Sequence, residues 1–195
     1  AEEAAIIAEE GYKVIDWAST VNENEEPDVV IAAAGTEPNM EALAAISILN
    51  EHYPSLKIRF INVCDLFKLR HTSDDPRGLS DEEFDKLFTK DKPIIFTYHS
   101  YEGIIRDIFY KRTNRNLHIH GYREEGDITT PFDMRVMSEM DRYHISKEII
   151  ELVNQENSDE FINLMDEKLE EHKKYIEEHG ADIDEIQQWV WKPLK

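Results

Sequence analysis

The chain has 195 residues, 41% of them hydrophobic, and 42 acidic side chains against 22 basic ones give it a net charge of -20. This charge argues against a nucleic-acid partner, because a phosphate backbone would be repelled. No apolar run approaches the roughly 18 residues of a membrane-spanning helix, so no membrane association is expected. The lone cysteine, Cys64, permits no internal disulfide and fits a reducing compartment, which predicts a cytoplasmic protein.

Residues 1–26 are predicted to form a short helix, an edge strand and an acidic linker. The opening segment has a helical composition and is closed by Gly11. Tyr12–Ala18 combines alternation with aromatic residues, which is typical of an edge strand. The linker Asn22–Pro27 is acidic and contains no predicted element.

Residues 27–157 are predicted to form the α/β core domain. Val29–Ala34 is an unbroken apolar run, as expected for a strand that is covered on both faces. Gly35 lets the chain turn, and Thr36 is the predicted cap of the helix that follows. Residues 40–49 of that helix are apolar on nearly every side, which predicts a helix packed inside the domain.

Three further strands alternate with helices along the core. The helix after the first of them is predicted to begin at Ser80, with a capping box to Glu83, and the next helix to begin at Ser100. This alternation predicts a doubly wound, three-layer α/β domain with a mostly parallel sheet, four parallel strands plus an antiparallel edge strand, flanked by helices. The three strands are Lys57–Val63, Pro93–Tyr98 and Leu117–Gly121.

Residues 158–195 are predicted to form a helical C-terminal tail that packs on the core. The helix begins at Ser158, has apolar or histidine residues three and four positions apart, and ends at Gly180. Trp189 and Trp191 follow it. Such large side chains are expected to seal the tail against the core or against a neighbouring subunit, and the sequence does not choose between these two.

The polar connection after Lys57–Val63 contains a cluster of charged side chains. A solvated loop with incidental ion pairs is favoured over an anion site there, because exposed ion pairs are common and weak. The residues are Arg70, His71, Asp74, Asp75 and Arg77.

The segment His118–Met134 holds the densest group of candidate functional residues. Ligands of doubly wound sheets bind beyond the carboxyl ends of the strands, which is where this segment is predicted to lie. His118 and His120 share one face of a strand, but two imidazoles alone do not make a metal site, so buried or hydrogen-bonded histidines are favoured. Glu124 or Glu125 could act as an acid or base if burial raised its pKa, although a solvated turn is favoured.

We therefore assign no catalytic, cofactor-binding or metal-binding residue from the sequence. Nucleotide-binding glycine motifs, the nucleophile elbow and the HExxH zinc motif do not occur. Thr130, followed by proline, is a predicted helix cap. The candidate channel or effector loop comprises His120, Tyr122, Glu124, Thr129 and Thr130.

Several long segments resemble the C-terminal domain of xylulose 5-phosphate/fructose 6-phosphate phosphoketolase, in the transketolase superfamily. The resemblance extends over nearly the whole chain and includes the closing WKPLK. The segments are AAAGTEP (32–38), IRFINVCDLFKLR (58–70), DPRGLSDEEFDKLFTKDKPIIF (75–96) and HGYREEGDITTPFDMRVMSEMDRYH (120–144).

This resemblance implies a thiamine diphosphate- and Mg²⁺-dependent enzyme that cleaves a ketose phosphate with inorganic phosphate to acetyl phosphate and an aldose phosphate. It places the cofactor site in the two preceding domains, across a dimer interface. The chain itself has no GDG motif, so no cofactor is expected on it. The implied partners are the N-terminal and middle domains of the same polypeptide and a second copy in a homo-oligomer.

The resemblance implies that this domain supports dimer assembly and is not catalytic alone. One alternative is an effector-binding or substrate-channel regulatory domain, in which the loop from Tyr122 to Thr130 takes part. Another is a free-standing α/β binding module.

Overall fold

The computed structural model describes residues 2–22, 25–124, 128–156 and 158–194. Helices and strands alternate through most of this part of the chain. The elements are α1 (Glu2–Glu10), β1 (Tyr12–Val14), β2 (Val29–Ala34), α2 (Thr36–His52), β3 (Ile58–Val63), a 3-10 helix (Leu66–Leu69), α3 (Asp81–Phe88), β4 (Ile94–Tyr98), α4 (Gly103–Phe109), β5 (Leu117–Gly121), α5 (Pro131–Met137), α6 (Arg142–Val153), α7 (Ser158–His179) and α8 (Asp184–Gln187).

A single five-stranded sheet has the strand order β1-β3-β2-β4-β5. Strands β3, β2, β4 and β5 are parallel to one another, and β1 is antiparallel to β3 at the edge. The strand order reverses at β2, because the chain continues to β3 on one side and later to β4 on the other. The predicted α/β fold, with four parallel strands and an antiparallel edge strand, is confirmed.

The edge strand is shorter than the sequence predicts. β1 ends at Val14 instead of Ala18. The chain turns there, because the amide of Ser19 donates to the Ile15 carbonyl at 2.9 Å. It then rejoins β3, where the amide of Thr20 donates to the carbonyl of Ile58 at 2.9 Å.

Two apolar clusters lie on opposite faces of the sheet. Every residue of β2 is buried, as the unbroken apolar run predicts. The first cluster joins α2, α6 and α7 to the sheet and includes Ile31, Ile46, Leu49, Ile145, Ile149, Phe161 and Met165. The second joins α3 and α4 to the other face and includes Ala32, Phe84, Phe88, Phe96, Ile105 and Phe109.

Two of the predicted helix starts are wrong. Thr36 is the first residue of α2 and not its cap; Gly35 precedes the helix with φ at 112°, and no side chain caps it. A Cβ at Gly35 would lie 2.5 Å from Nδ1 of His99, so the close approach requires glycine. α4 begins at Gly103 rather than at Ser100. The carbonyl of Ser100 instead accepts the amide of Tyr122 at 3.0 Å, which holds this residue beside the end of β5.

Two other helix starts agree with the sequence. Ser80 and Glu83 form the predicted capping box of α3. Thr130 caps α5 by accepting the amide of Asp133, with Pro131 at the first helical position.

The C-terminal segment packs on the same chain. α7 ends at His179, and Gly180 follows with φ at 62°, as the glycine predicts. The ring of Trp191 meets that of Trp17 edge to face, with centroids 5.2 Å apart. The division of the chain at residues 27 and 158 stays a prediction. In the part of the chain that the structure describes, no helix has the length and apolar character needed to cross a membrane.

Candidate functional site

The five residues of the candidate loop do not form one site. His120 contacts α6, Tyr122 and Glu124 lie beside Tyr101, and Thr129 and Thr130 line a cavity at the start of α5. Glu125, the second candidate acid or base, lies outside the described residues. The described residues of the candidate loop therefore lie in three different parts of the structure.

Both strand histidines contact one glutamate of α6. Nδ1 of His118 lies 2.8 Å from Oε1 of Glu148, and Nε2 of His120 lies 2.5 Å from Oε2 of the same residue. Burial alone would raise the pKa of Glu148, but the two imidazoles together lower it below its usual value. The arrangement ties β5 to α6, as the hydrogen-bonded interpretation of these histidines predicts.

Tyr122 and Glu124 lie at the surface, near the end of β5. The rings of Tyr101 and Tyr122 meet edge to face at 5.8 Å, and the Tyr101 hydroxyl lies 3.4 Å from Oε2 of Glu124. The Glu124 carboxylate raises the pKa of Tyr101. Glu124 is exposed, so no burial supports its use as an acid or base.

The polar connection after β3 is also a surface network of ion pairs. Arg77 pairs with Asp75 at 2.9 Å, and Lys111 pairs with Asp74 at 2.7 Å. The hydrogen bonds from Arg77 lower the pKa of Asp75 to about 2. The ion pairs agree with the solvated-loop interpretation.

A cavity of about 920 Å³, here called the charged cavity, lies beside the first turns of α2. Its walls come from α2, α5, the start of α6, and the segment from the end of α7 through α8. Its lining combines charged and hydroxyl groups with apolar ones, and it includes Glu37, Glu41, Thr129, Thr130, Arg135, Arg142, Ile176, Asp182 and Trp189.

A buried carboxylate holds two arginines at one wall of the charged cavity. The Glu41 side chain is 1% exposed and accepts hydrogen bonds from Nε and Nη2 of Arg142, at 2.9 and 3.0 Å. Nε of Arg135 lies 3.2 Å from the same carboxylate, and Nη1 of Arg135 donates to Glu37 at 2.6 Å. The guanidinium of Arg142 also lies 5.5 Å from the ring centroid of Phe132. The buried charge of Glu41 is therefore paired with the guanidinium groups of Arg142 and Arg135.

The opposite wall holds a second buried pair. Oδ2 of Asp182 accepts the Phe132 amide at 3.1 Å, and its Oδ1 lies 3.3 Å from Nε2 of His172. Burial lowers the pKa of His172, while the charges of Asp182, Asp133 and Asp141 oppose that shift in part. Burial therefore favours the neutral form of this imidazole in the folded protein.

A second concave surface, here called the apolar groove, lies on the other side of α2 and measures about 770 Å³. Its lining comes from the first turns of α2, the carboxyl ends of β2, β3 and β4, and the segment after β1, and it includes Ile7 of α1. Three large side chains on it are substantially exposed, namely Trp17 at 48%, Met40 at 38% and Phe67 at 43%. Exposed apolar groups of this size mark interaction surfaces.

The described residues contain no group of three or more His, Cys, Asp or Glu arranged to hold a metal ion. The whole sequence also has no GDG segment. No chemical step is assigned to these residues.

The buried charges that shape the charged cavity, and the Glu148 contact between β5 and α6, are not among the residues that the sequence singles out. Glu41 offered a signal, since a glutamate within a helix that is apolar on nearly every side needs a buried partner. Its partner Arg142 lies 101 residues away. Glu148 gave no comparable signal, because its contact with His120 depends on how α6 packs on β5.

These surfaces belong to an α/β domain built on a five-stranded, mostly parallel sheet. The family model described as "XFP C-terminal domain" matches residues 1–191. The chain therefore belongs to this family, which is the C-terminal domain of phosphoketolase.

Curated relatives agree with the family match. The chain is 58% identical to a probable phosphoketolase of Pediococcus pentosaceus, with 99% of this chain and 25% of that protein covered. It is 53% identical to a xylulose-5-phosphate phosphoketolase of Lactiplantibacillus pentosus, with 100% and 25% covered. It is 48% identical to a probable phosphoketolase of Clostridium acetobutylicum, with 97% and 24% covered. The chain thus spans about a quarter of the length of these relatives.

Among solved structures, an inactive β4 tetramer of a split-gene transketolase matches with a TM-score of 0.45 and 13% identity. The match covers 67% of this chain and 40% of that one. The α/β assignment above rests on the strand order of the sheet and not on this likeness.

Proposed function

We propose that this chain is the C-terminal domain of a phosphoketolase that cleaves xylulose 5-phosphate. The supporting observation is the 53% identity, over 100% of the chain, to a protein named xylulose-5-phosphate phosphoketolase. The reaction consumes inorganic phosphate and releases acetyl phosphate, glyceraldehyde 3-phosphate and water. Fructose 6-phosphate is the second substrate that the resemblance implies, with erythrose 4-phosphate as the aldose product.

The complete enzyme would use thiamine diphosphate and Mg²⁺, bound by residues outside this chain. The bound cofactor supplies the carbanion chemistry of the cleavage, and protein groups supply binding and orientation. A cytoplasmic location, expected from the lone cysteine, is part of the same proposal.

The role proposed for this domain is assembly of the enzyme. The apolar groove supports this role because Trp17, Met40 and Phe67 remain partly exposed around it. Its proposed occupant is the part of the phosphoketolase polypeptide that the relatives contain and this chain lacks, since the chain spans only 25% of their length. Packing of that part would remove the apolar surface from water and stabilise a homo-oligomer.

A regulatory role is the second candidate function. The observation that favours it is that Thr129 and Thr130, from the candidate loop, line a cavity with buried charged walls. A free-standing binding module is the remaining alternative.

The direct test uses the complete polypeptide that carries this chain. We expect it to form acetyl phosphate from xylulose 5-phosphate and inorganic phosphate, and to stop doing so when phosphate is omitted. The same polypeptide truncated before residue 1 is expected to lose activity and to dissociate. No acetyl phosphate from the complete polypeptide would contradict the phosphoketolase activity, whereas an active and fully assembled truncation would contradict the assembly role alone.

A further inference from the structure

The charged cavity presents hydrogen-bond donors that the described residues leave without acceptors. Arg142 gives its backbone amide, Nε and Nη2 to Glu41, which leaves Nη1. Nη1 of Arg135 donates to Glu37, while its Nε, 3.2 Å from Oε1 of Glu41, and its Nη2 make no hydrogen bond. Both arginines line the cavity. Guanidinium nitrogens have no acceptor capacity, so these positions suit only a group that accepts hydrogen bonds.

The two arginines are held in place before any ligand arrives. Glu41 contacts both of them, and the ring centroid of Phe132 lies 5.4 Å from Cζ of Arg135 and 5.5 Å from Cζ of Arg142. Trp189 lies 5.3 Å from the Arg142 guanidinium. Binding would therefore immobilise little additional side-chain freedom, which favours affinity.

The buried carboxylates of the cavity are engaged in part. Both oxygens of Glu41 face arginine donors. Oδ2 of Asp182 accepts the Phe132 amide, while its Oδ1, 3.3 Å from Nε2 of His172, makes no hydrogen bond. Thr130 accepts the Asp133 amide, so its own hydroxyl hydrogen remains available. Donors without a partner remain on Arg135, Arg142 and Thr130, even though the whole chain carries a charge of -20.

We propose that the charged cavity binds a small oxyanion, a phosphate or a carboxylate group, through Arg135, Arg142 and the Thr130 hydroxyl. A cavity of about 920 Å³ is large enough for a metabolite that bears such a group. The negative charge of the chain opposes the approach of the anion, so an affinity of about a millimolar is expected for the bare ion. The proposal does not depend on phosphoketolase activity.

The test titrates this chain with inorganic phosphate or with succinate, against sodium chloride at matched ionic strength. Nitrogen–proton NMR follows the Trp189 indole and the backbone amides of Thr130 and Arg142. We expect saturable shifts with both anions and none with chloride. Saturation by phosphate alone or by succinate alone identifies which oxyanion is preferred and supports the site in either case. Shifts that follow ionic strength only would overturn the proposal.

Two variants and one control test whether the anion binds inside the charged cavity. Arg135→Gln removes a charged donor and should weaken binding by about tenfold. Ala181→Leu fills space at the cavity lining without changing a charge and should weaken it to a similar degree, which covers the case that the arginine variant folds poorly. Arg106→Gln removes the same charge from α4, outside the cavity, and should leave the affinity within about twofold.

The pattern across the variants decides the outcome. Loss in Arg135→Gln and Ala181→Leu with retention in Arg106→Gln supports the site. Equal weakening in all three variants would reduce the effect to net charge, and unchanged affinity in Ala181→Leu would place the anion elsewhere. Both of these results overturn the proposal, while leaving the assembly role untouched.

Discussion

Helix α2 separates two concave surfaces. One is lined by charged groups that are paired within the chain, and the other exposes apolar side chains. On one side, the charged cavity contains Glu41 and Arg142, which are almost fully buried and paired within the chain. On the other side, the apolar groove leaves Trp17 and Phe67 about half exposed. Met40 lines both surfaces.

The comparison shows that buried charges and exposed apolar side chains need partners for different reasons. Charges are costly to bury, so the chain pairs Glu41 with two arginines, and the proposed oxyanion would use the arginine donors that remain. Apolar side chains are costly to expose as a group, and the proposed role of the groove is to pack against a larger surface. The predictions that follow test this contrast, from the largest expected effect to the smallest.

The largest expected effect is loss of the buried carboxylate of the charged cavity. Glu41→Gln leaves two arginines facing a neutral amide, so we expect it to destabilise the chain by about 3–5 kcal/mol in urea unfolding. Glu37→Gln is the matched control, because Glu37 is 61% exposed and its pair with Arg135 lies near solvent. That change should cost under about 1 kcal/mol. Equal costs for the two variants would contradict the contrast between buried and exposed charge.

The next effect concerns the contact between β5 and α6. Glu148→Gln should cost about 1–2 kcal/mol near pH 7, because His118 and His120 lose a charged acceptor. Since the folded state lowers the pKa of Glu148, its contribution is present above the ordinary carboxyl pKa of about 4.5. It disappears as the pH falls through the folded-state pKa. Glu151→Gln, an exposed change on the same helix, is the control, and a flat difference between the two across that range would count against this account.

A smaller effect should appear in the pH dependence of stability. His172 has a lowered pKa in the folded state because it is buried, so the unfolded chain takes up a proton first as the pH falls below about 6.5. Stability should therefore decrease below that pH. His172→Phe, which cannot be protonated, should lose less stability than the unmodified chain between about pH 7.5 and 5.5. Parallel curves for the two proteins would show that His172 does not titrate differently on folding.

The pKa of His144 is shifted in the opposite direction to that of His172. Burial would lower its pKa, but the Asp141 carboxylate, 2.5 Å from Nδ1, raises it above the ordinary value. Its contribution is therefore complete below about pH 6.5 and is lost as the pH rises through the folded-state pKa. In the same experiment His144→Gln should remove a stabilisation that grows toward acid pH.

The smallest effect is expected in the apolar groove of the isolated chain. Phe67→Ser should change the free energy of unfolding by less than about 1 kcal/mol, because the side chain is 43% exposed. Phe84→Ser, in the buried cluster under α3, is the contrasting variant and should cost more than about 3 kcal/mol. Similar losses in both would mean that the groove already belongs to the core.

The sequence predicts the sheet better than it predicts the surfaces. Val29–Ala34 is apolar throughout and is buried throughout, because a central parallel strand has helices on both faces. Capping by Ser80 and Thr130 is also local, since the interacting groups lie within three residues. Ser100 fails as a cap because its carbonyl is used by Tyr122 on another strand end. No local pattern contains that contact.

The candidate site also depends on contacts between residues that are far apart in the sequence. Thr129 and Thr130 do line a cavity, but its charged walls come from Glu41 and Arg142, 101 residues apart. Neighbouring positions in the loop suggested one site for His120 and Thr130. The direction of each side chain decides otherwise, because β5 turns His120 toward α6.

The most direct measurement for the assembly role is the mass and activity of the complete polypeptide carrying Phe67→Glu. A charge placed in the apolar groove should disrupt assembly and lower acetyl phosphate formation at least about tenfold, because burying an unpaired carboxylate is costly. Tyr110→Glu is the control, since Tyr110 is 72% exposed and lies outside the groove. Loss of mass and activity in Phe67→Glu alone is the predicted result. A Phe67→Glu enzyme that keeps the mass and activity of its parent would contradict the docking of the polypeptide at this groove.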